Sequence, residues 1–471
     1  MMKTNKLKHA VVMGGSMAGL LTARVLSDHF EQVTIVERDP VHDRPETRKG
    51  QPHTRHLHGL LANGLHIFTH YFPDLPEALA DLDIFVGDMG ERMRWYTHGG
   101  YRKPFHLGLE GVTISRPQLE FMIRSRVLAR PNVTLRDNCA VKQLLTTPGN
   151  ERVTGVVLEQ RGVVTETMQL SADLIIDCSG RGSRTPQWLK ELGYNAPTES
   201  EVKIDVGYAT RLYQRDPDDP RGQQWTLVTP DAPNENCFGG AFAIENGRWI
   251  VTMGGWGGNH CPTDEAGFLE FARNLPAPDI YNIITESTPI SEILTHKFPS
   301  SLRRHYEKLA RFPAGYLVLG DAIASFNPTY GQGMTSAAMQ MRVLDQALGE
   351  RPSLDNIAPL FFKKAAKVVD IPWQMAVGED FRFATTTGPK PPGTDFINRY
   401  TAKVNQVSHH DEVVGAAFLQ VMNLLAPPPS LMHPRIMWRV LRGGRKAAKA
   451  HTAEAVNDPP ADGREQLAVS S

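Results

Sequence analysis

One early turn constrains this chain more than any other feature: Gly14, Gly15, Ser16, Met17, Ala18 and Gly19 stand between an apolar run, His9 to Met13, and a helical pattern, Leu20 to Asp28. A glycine turn between a strand and a helix lets backbone approach a pyrophosphate closely, and the first helical amides then offer it unpaired N–H donors and a partial positive charge. Ser16 occupies the position where the middle glycine of the usual pattern sits, and its side chain is small enough to keep that approach. Gln32 to Glu37 forms a second strand, and Glu37 lies 23 residues beyond Gly14, where a carboxylate accepts hydrogen bonds from a ribose; Arg38 follows it. Strand, turn, helix, strand and acid in this order make the first half of a dinucleotide-binding unit.

A second signal lies some three hundred residues away. Tyr316 to Leu319 is apolar and is followed by Gly320 and Asp321, then by Pro328, Thr329, Tyr330, Gly331, Gln332, Gly333 and Met334, with a helix from Thr335. An aspartate at a strand end can bind the hydroxyls of a polyol chain, and the amides around Gly331 to Met334 open a helix whose positive end suits an anionic ring edge. The bland alternative is a loop with an ordinary helix cap.

Between these poles, Pro117 to Leu128 has helical spacing with Ser115 as its cap, and Leu57 to Phe72 reads as a helix after a polar loop from Asp39 to Thr54. Asn132 to Leu145, Arg152 to Leu158 and Ala172 to Asp177 read as further strands. Lys203 to Tyr213 alternates strictly and Phe238 to Met253 is extended, which predicts a separate antiparallel sheet over the substrate. After Pro359 the pattern is mostly helical, punctuated by proline at Pro372, Pro389 to Pro392 and Pro427 to Pro429. The expected class is α/β: a Rossmann-type domain from 1–65, 112–190 and 300–350, interleaved with a substrate domain from 66–111 and 191–299, a helical region 351–456, and a frayed tail 457–471.

These segments, with Asp177 to Ser183 between them, resemble the FAD-dependent monooxygenases that include aromatic hydroxylases and squalene epoxidase, over most of the first 345 residues. Within that superfamily GGSMAGLL, RHLHGLL, DCSGRGSR and SFNPTYGQGMTSAA are most similar to the polyene epoxidases of polyether biosynthesis. The resemblance implies that Gly14, Gly15, Ser16, Gly19, Glu37 and Arg38 hold the adenosine diphosphate half of FAD. It places Gly180, Gly320, Asp321, Pro328, Gly331, Gly333 and Met334 on the flavin half, with Arg55 or His56 beside the cofactor and Arg116 in the position of a cofactor-contacting arginine. An arginine opening a helix opposes the dipole and is more comfortable with an anion nearby; the plain alternative is a solvated arginine.

The implied chemistry is insertion of one atom of O2 into a small unsaturated, lipophilic or polyene substrate through a flavin C4a-hydroperoxide, most simply an epoxidation in specialised metabolism. No protein nucleophile is needed; Phe326, Pro328 and Tyr330 are the candidate wall beside the flavin. Where aromatic hydroxylases carry an aspartate–glycine pair in the middle motif, this chain has Ser179 and Gly180, so NAD(P)H supplies electrons either directly or through a separate flavin reductase. The first alternative is an aromatic hydroxylase with Tyr208, Arg211 or a histidine promoting deprotonation of a phenol. Further alternatives are a flavin-dependent reductase of isoprenoid double bonds and a non-catalytic FAD-binding protein. The tryptophan motif of flavin halogenases is missing.

His53, His56 and His58 form the densest histidine group, without a cysteine or acid to complete a metal site. Lys plus Arg equals Asp plus Glu at 51 each, which gives nucleic acid no net field to follow. Four cysteines lie far apart with no CxxC pair, which predicts reduced thiols and a cytoplasmic protein. No apolar run reaches the ~18–20 residues of a membrane span. The late basic segment, Arg435, Arg439, Arg442, Arg445, Lys446 and Lys449 around Trp438 and Leu441, reads as a docked terminal helix rather than a membrane-surface one.

Overall fold

In the computed structural model, which describes residues 6–160, 166–350 and 353–443, five parallel strands form the central layer. Their spatial order is Tyr316–Val318, Leu174–Asp177, Leu7–Met13, Phe30–Val36 and Val133–Arg136. The inner strands are buried on both faces, which explains why they read as continuous apolar runs instead of alternating ones. The register matters for function: Met13 pairs with both Val36 and Asp177, and Asp177 pairs with Val318. All these strands therefore end level, and Gly14, Glu37, Cys178 and the segment entering Gly320 emerge along one edge, where open α/β sheets place their ligands.

The turn after the opening strand has the geometry its glycines require. Gly14 has φ +105°, and a Cβ on it would stand 2.6 Å from the Cys178 carbonyl oxygen. A Cβ on Gly19 would stand 1.8 Å from the Gly14 carbonyl oxygen. The helix Met17–His29 packs on the sheet and against the long helix Gly333–Gly349, so the two sequence signals, three hundred residues apart, become neighbours.

The second layer is an eight-stranded sheet built around Glu199–Gln214, Cys237–Ile244, Arg248–Gly255 and Leu294–Arg304. It is antiparallel except where Trp225–Val228 pairs in parallel with Met93–Thr97. The expected single extended run from Phe238 to Met253 is a hairpin: Asn246 and Gly247 both have positive φ, 63° and 61°, the turn that matches the twist of paired strands. One face of this sheet, with Ala209, Val251, Met253 and Ala241, is covered by the helices Glu265–Arg273 and Asp279–Thr285. By the strand alternation the opposite face carries Tyr208, Thr210, Thr252 and His296 and turns to the cofactor edge.

Two other expectations change. The helix expected from Leu57 begins only at Ala62, because Leu57 donates its amide to the Thr252 hydroxyl and Leu61 is still extended. Pro372 does not end its helix: Ile357–Asp380 continues through it, with Pro372 buried in the core. The helices Ala62–Tyr71 and Ile357–Asp380 both pack on Gly333–Gly349 and contribute to the same main core as the parallel sheet. The four cysteines are unpaired. Among the described residues no helix is long and apolar enough to cross a membrane. At the C-terminus Ile436 and Val440 are buried while Trp438 and Leu441 are exposed; Arg445, Lys446, Lys449 and the tail 457–471 lie outside the described residues.

The turn generates a contrast that urea denaturation can check. Gly19→Ala, whose methyl would overlap fixed backbone, is expected to lose at least about 2 kcal/mol of stability. Gly182→Ala, whose methyl would enter open space, should stay within about 0.5 kcal/mol of the parent. Equal midpoints for the two variants would contradict this account of the turn.

Candidate active site

Four charged side chains, none more than 7% exposed, lock the glycine turn. Glu37 accepts from the Gly15 amide at 2.8 Å and the Asp39 amide at 3.0 Å, and its Oε2 lies 3.0 Å from Arg48 Nη1. Arg48 also reaches the Gly15 carbonyl at 2.9 Å and Glu120 at 2.5 Å. Glu120, one turn into the helix Arg116–Leu128, forms an ion pair with Arg116 at 2.8 Å and accepts from the Ser16 hydroxyl at 3.0 Å. Burial opposes ionisation of Glu120, but Arg116 and Arg48, helped by the Ser16 hydroxyl, outweigh it and hold the carboxyl below its ordinary range. The network is neutral, two positive and two negative charges, and within it Arg116 donates to the Ser16 hydroxyl.

FAD fits this edge. Neither Met17–His29 nor Gly333–Gly349 has a side-chain cap, so the first amides of both helices keep their donors for a ligand. Arg116 Nη1 is buried without a hydrogen-bond partner, as are Gln332 Oε1 and Thr335 Oγ1 at the start of the second helix. Gly59, Gly180, Gly182 and Gly333 have nothing within 4 Å of where a Cβ would stand, so they border open space. Asp321 is exposed to that space and accepts no hydrogen bond within the described residues. Its surroundings still crowd it: desolvation, opposed by Arg181 and Arg116, pushes its carboxyl up to about 6. An exposed carboxylate without a partner among the described residues suits polyol hydroxyls. Ser16, Arg116 and the first helix would hold the pyrophosphate, Asp321 the ribityl chain, and Gly331, Gly333 and Met334 the pyrimidine edge.

Other anticipated residues stand as follows. Gly15 lies under Glu37, which a Cβ would meet at 3.1 Å. Gly320, φ +73°, backs onto Ala18. Arg38 and Arg55 are exposed, Arg38 beside Gly50. Of the proposed flavin wall, Pro328 is exposed and Tyr330 half-buried, whereas Phe326 is packed into the main core, because it follows the two-residue strand Ala324–Ser325 inward. Arg211 is a poor partner for substrate: it lies on the face opposite the cleft and pairs with Glu265 through two hydrogen bonds of 2.6 and 2.7 Å. Tyr208 is on the cleft face, but burial raises its phenol well above the usual value, so it is a donor and not a base at neutral pH. His53, His56 and His58 are joined by His296, and no group of three or more metal-binding side chains forms among the described residues.

Sequence reasoning missed Arg48, Glu120 and Asp380. Asp380 ends the helix Ile357–Asp380 and is fully buried. Its Oδ1 accepts from Asn327 at 2.7 Å, Tyr330 at 2.9 Å and Trp256 at 3.0 Å, while Oδ2 has no partner. It thus ties the loop before the second helix to the substrate sheet. Burial pushes its carboxyl up to about 7, against the three donors that favour the charged form.

Two outcomes follow. Glu120→Gln leaves Arg48 and Arg116 short of a counter-charge and should cost about 3–5 kcal/mol in urea denaturation; a loss under about 1 kcal/mol would contradict the network's role. Asp380 binds its proton more tightly folded than unfolded, so the stability it contributes is complete below about pH 4 and is lost as pH rises through about 7. Asp380→Asn keeps an Oδ1 for the same three donors and cannot ionise. Its stability relative to the parent should therefore climb between pH 5 and pH 8, by up to about 2.5 kcal/mol; a flat difference would show that Asp380 stays charged throughout.

Comparison with known proteins agrees with this geometry. No family model matches the sequence. The chain is 33% identical to Protein Rv3254 of Mycobacterium tuberculosis over 446 residues, 89% of this chain and 90% of that one. It is 26% identical to kynurenine 3-monooxygenase of Salinispora tropica over 377 residues, 76% of each. Among solved structures it superposes on PqsL of Pseudomonas aeruginosa, described as a probable FAD-dependent monooxygenase, with a TM-score of 0.57 and 14% identity over 80% of this chain and 98% of that one. The chain belongs to one family with Protein Rv3254, and it shares the fold of PqsL.

Proposed function

We propose that this protein is an FAD-dependent monooxygenase that hydroxylates a small aromatic molecule carrying an oxygen substituent. The alignment with kynurenine 3-monooxygenase over 377 residues carries this reading. It displaces olefin epoxidation, since the resemblance to polyether epoxidases finds no support in the comparisons. The cleft wall supports the same preference. His56, Tyr208 and His296 cluster on that side of the sheet, and packing a bare hydrocarbon chain against their polar atoms would leave those atoms without hydrogen bonds.

Bound FAD would supply oxygen activation once reduced. The protein's part is positional. Arg116 and the two open helix ends hold the cofactor's charge, and the Asp380 cluster fixes Asn327 and Tyr330 in the loop beside the ring. The sheet face of Tyr208 and His296 closes the opposite side against water. NAD(P)H remains the proposed electron source, directly or through a reductase. Ser179, which stands where aromatic hydroxylases have an acid, donates its hydroxyl to Asp177 at 2.5 Å.

The test is turnover under 18O2 with 2-aminoacetophenone or a hydroxybenzoate, NADPH or NADH, and a general flavin reductase added in parallel. A ring-hydroxylated product heavier by one 18O atom is expected. Oxygen incorporation only into an olefinic probe, as an epoxide, would overturn the aromatic reading and return the epoxidase one.

A further inference from the structure

A chain of three side chains sets the tautomer of His56. The Leu57 amide donates to Thr252 Oγ1 at 3.1 Å, Thr252 and Thr210 hydroxyls meet at 2.6 Å, and Thr210 Oγ1 meets His56 Nδ1 at 2.7 Å. Leu57 has only a hydrogen to give, so Thr252 must accept it. If Thr252 then donates to Thr210, Thr210 donates to His56 Nδ1, and every hydroxyl hydrogen is used. The reverse direction would have His56 donate through Thr210 to Thr252, leaving Thr252, 6% exposed, accepting twice with its own hydrogen unplaced. A buried unsatisfied donor costs about 1–3 kcal/mol. The backbone of Leu57 therefore makes Nδ1 the acceptor, and the ring's one hydrogen sits on Nε2.

That Nε2 points away from the threonine pair. It has no hydrogen-bond partner among the described residues, nor is it one of the sealed-off polar atoms. The ring lies 4.8 Å from Tyr208 and 5.8 Å from His296, centroid to centroid, and both belong to the cleft face of the substrate sheet. Immediately downstream, Gly59 borders open space, and its carbonyl oxygen is 3.9 Å from where a Cβ on Gly331 would stand, so this segment runs beside the loop that opens the second cofactor helix. The Tyr208 hydroxyl has no hydrogen-bond partner among the described residues either, so two rings with unused donors lie 4.8 Å apart, centroid to centroid.

We propose that His56 is a substrate-binding residue: a neutral Nε2–H donor, fixed by Thr210 and Thr252 and seconded by the Tyr208 hydroxyl, for an acceptor oxygen of the substrate such as an aryl carbonyl or phenolate. This rests on the hydroxylase reading and narrows its substrate class. The histidine stays neutral across the working range because burial first, and then His296, His53 and Arg55, push it down to about 3. The groups facing it from every side are of the same kind: His53, Arg55 and His58 on its own segment, Arg116 from the neighbouring helix, His296 and the un-ionised Tyr208 from the sheet. Glu120 favours the cation of the neighbouring His53, and among the described residues no carboxylate favours that of His56.

The experiment uses FAD-loaded protein and reads the change in flavin absorbance on titration with 2-aminoacetophenone and with 2-ethylaniline, which lacks the carbonyl. The ketone should bind about tenfold tighter, the worth of one well-placed hydrogen bond, and this ratio should stay constant from pH 5 to 8. His56→Leu should bring the ratio near one, whereas His56→Gln, which can accept from Thr210 and still donate, should recover part of it. Long-range 15N–1H spectra of histidine-labelled protein should show His56 with Nδ1 unprotonated, and Thr210→Val should relax that preference. Equal affinity for the two probes, no response to either, a ratio unaltered in His56→Leu, or an Nδ1–H tautomer would overturn the proposal. Failure of hydroxylation under 18O2 with the ketone preference and tautomer intact would sink only the broader reading.

Discussion

Two glutamates and two arginines buried against a glycine turn are the constraint on which this structure depends. Taken out of water singly, each would be costly, and together they are tolerated because every charge has an opposite neighbour within 3.0 Å. The arrangement draws in Glu37 from the second strand, Arg48 from the following loop, and Arg116 and Glu120 from a helix some eighty residues later. The turn cannot shift without breaking several of these contacts at once. That rigidity is what a pyrophosphate site requires, since amides aimed at an anion help only if they are already in place.

The level strand ends carry the consequence outward. Because the parallel strands finish in register, the turn, the Asp177 loop and the Gly320–Asp321 segment share one edge. The eight-stranded sheet then faces that edge with a polar wall, and a single buried carboxylate, Asp380, clamps the loop before Gly333 to Trp256 at the end of that sheet. Substrate layer and cofactor layer are thus joined through hydrogen bonds as well as through core packing.

Much of this was legible in the residues because the relevant signals are local. The glycine turn, the Gly320–Asp321 pair and the capped helix at Ser115 each announce a local geometry within a dozen positions, Glu37 does so at the end of the next strand, and the structure brings them to one edge. Partner choice was not legible. Glu120 looks like any surface acid on an amphipathic helix until Arg48 is seen beside it, and Asp380 finds Asn327 and Trp256 across 53 and 124 positions. The Asn246–Gly247 hairpin carried a local signal that the extended reading passed over. Leu57 to Leu61 failed as a helix for a tertiary reason, the bond from Leu57 to Thr252. His53, His56 and His58 stood out as a group, but their fourth member, His296, joins only through pairing of Leu294–Arg304 with Glu199–Gln214.

The central claim is that this edge holds FAD, and its most direct test is the stoichiometry of flavin bound to the purified chain after incubation with FAD and removal of the excess. The account predicts one flavin per chain, with the visible absorbance of a protein-bound isoalloxazine, and clear weakening in Asp321→Ala without loss of fold. A protein that emerges colourless and intact would contradict it.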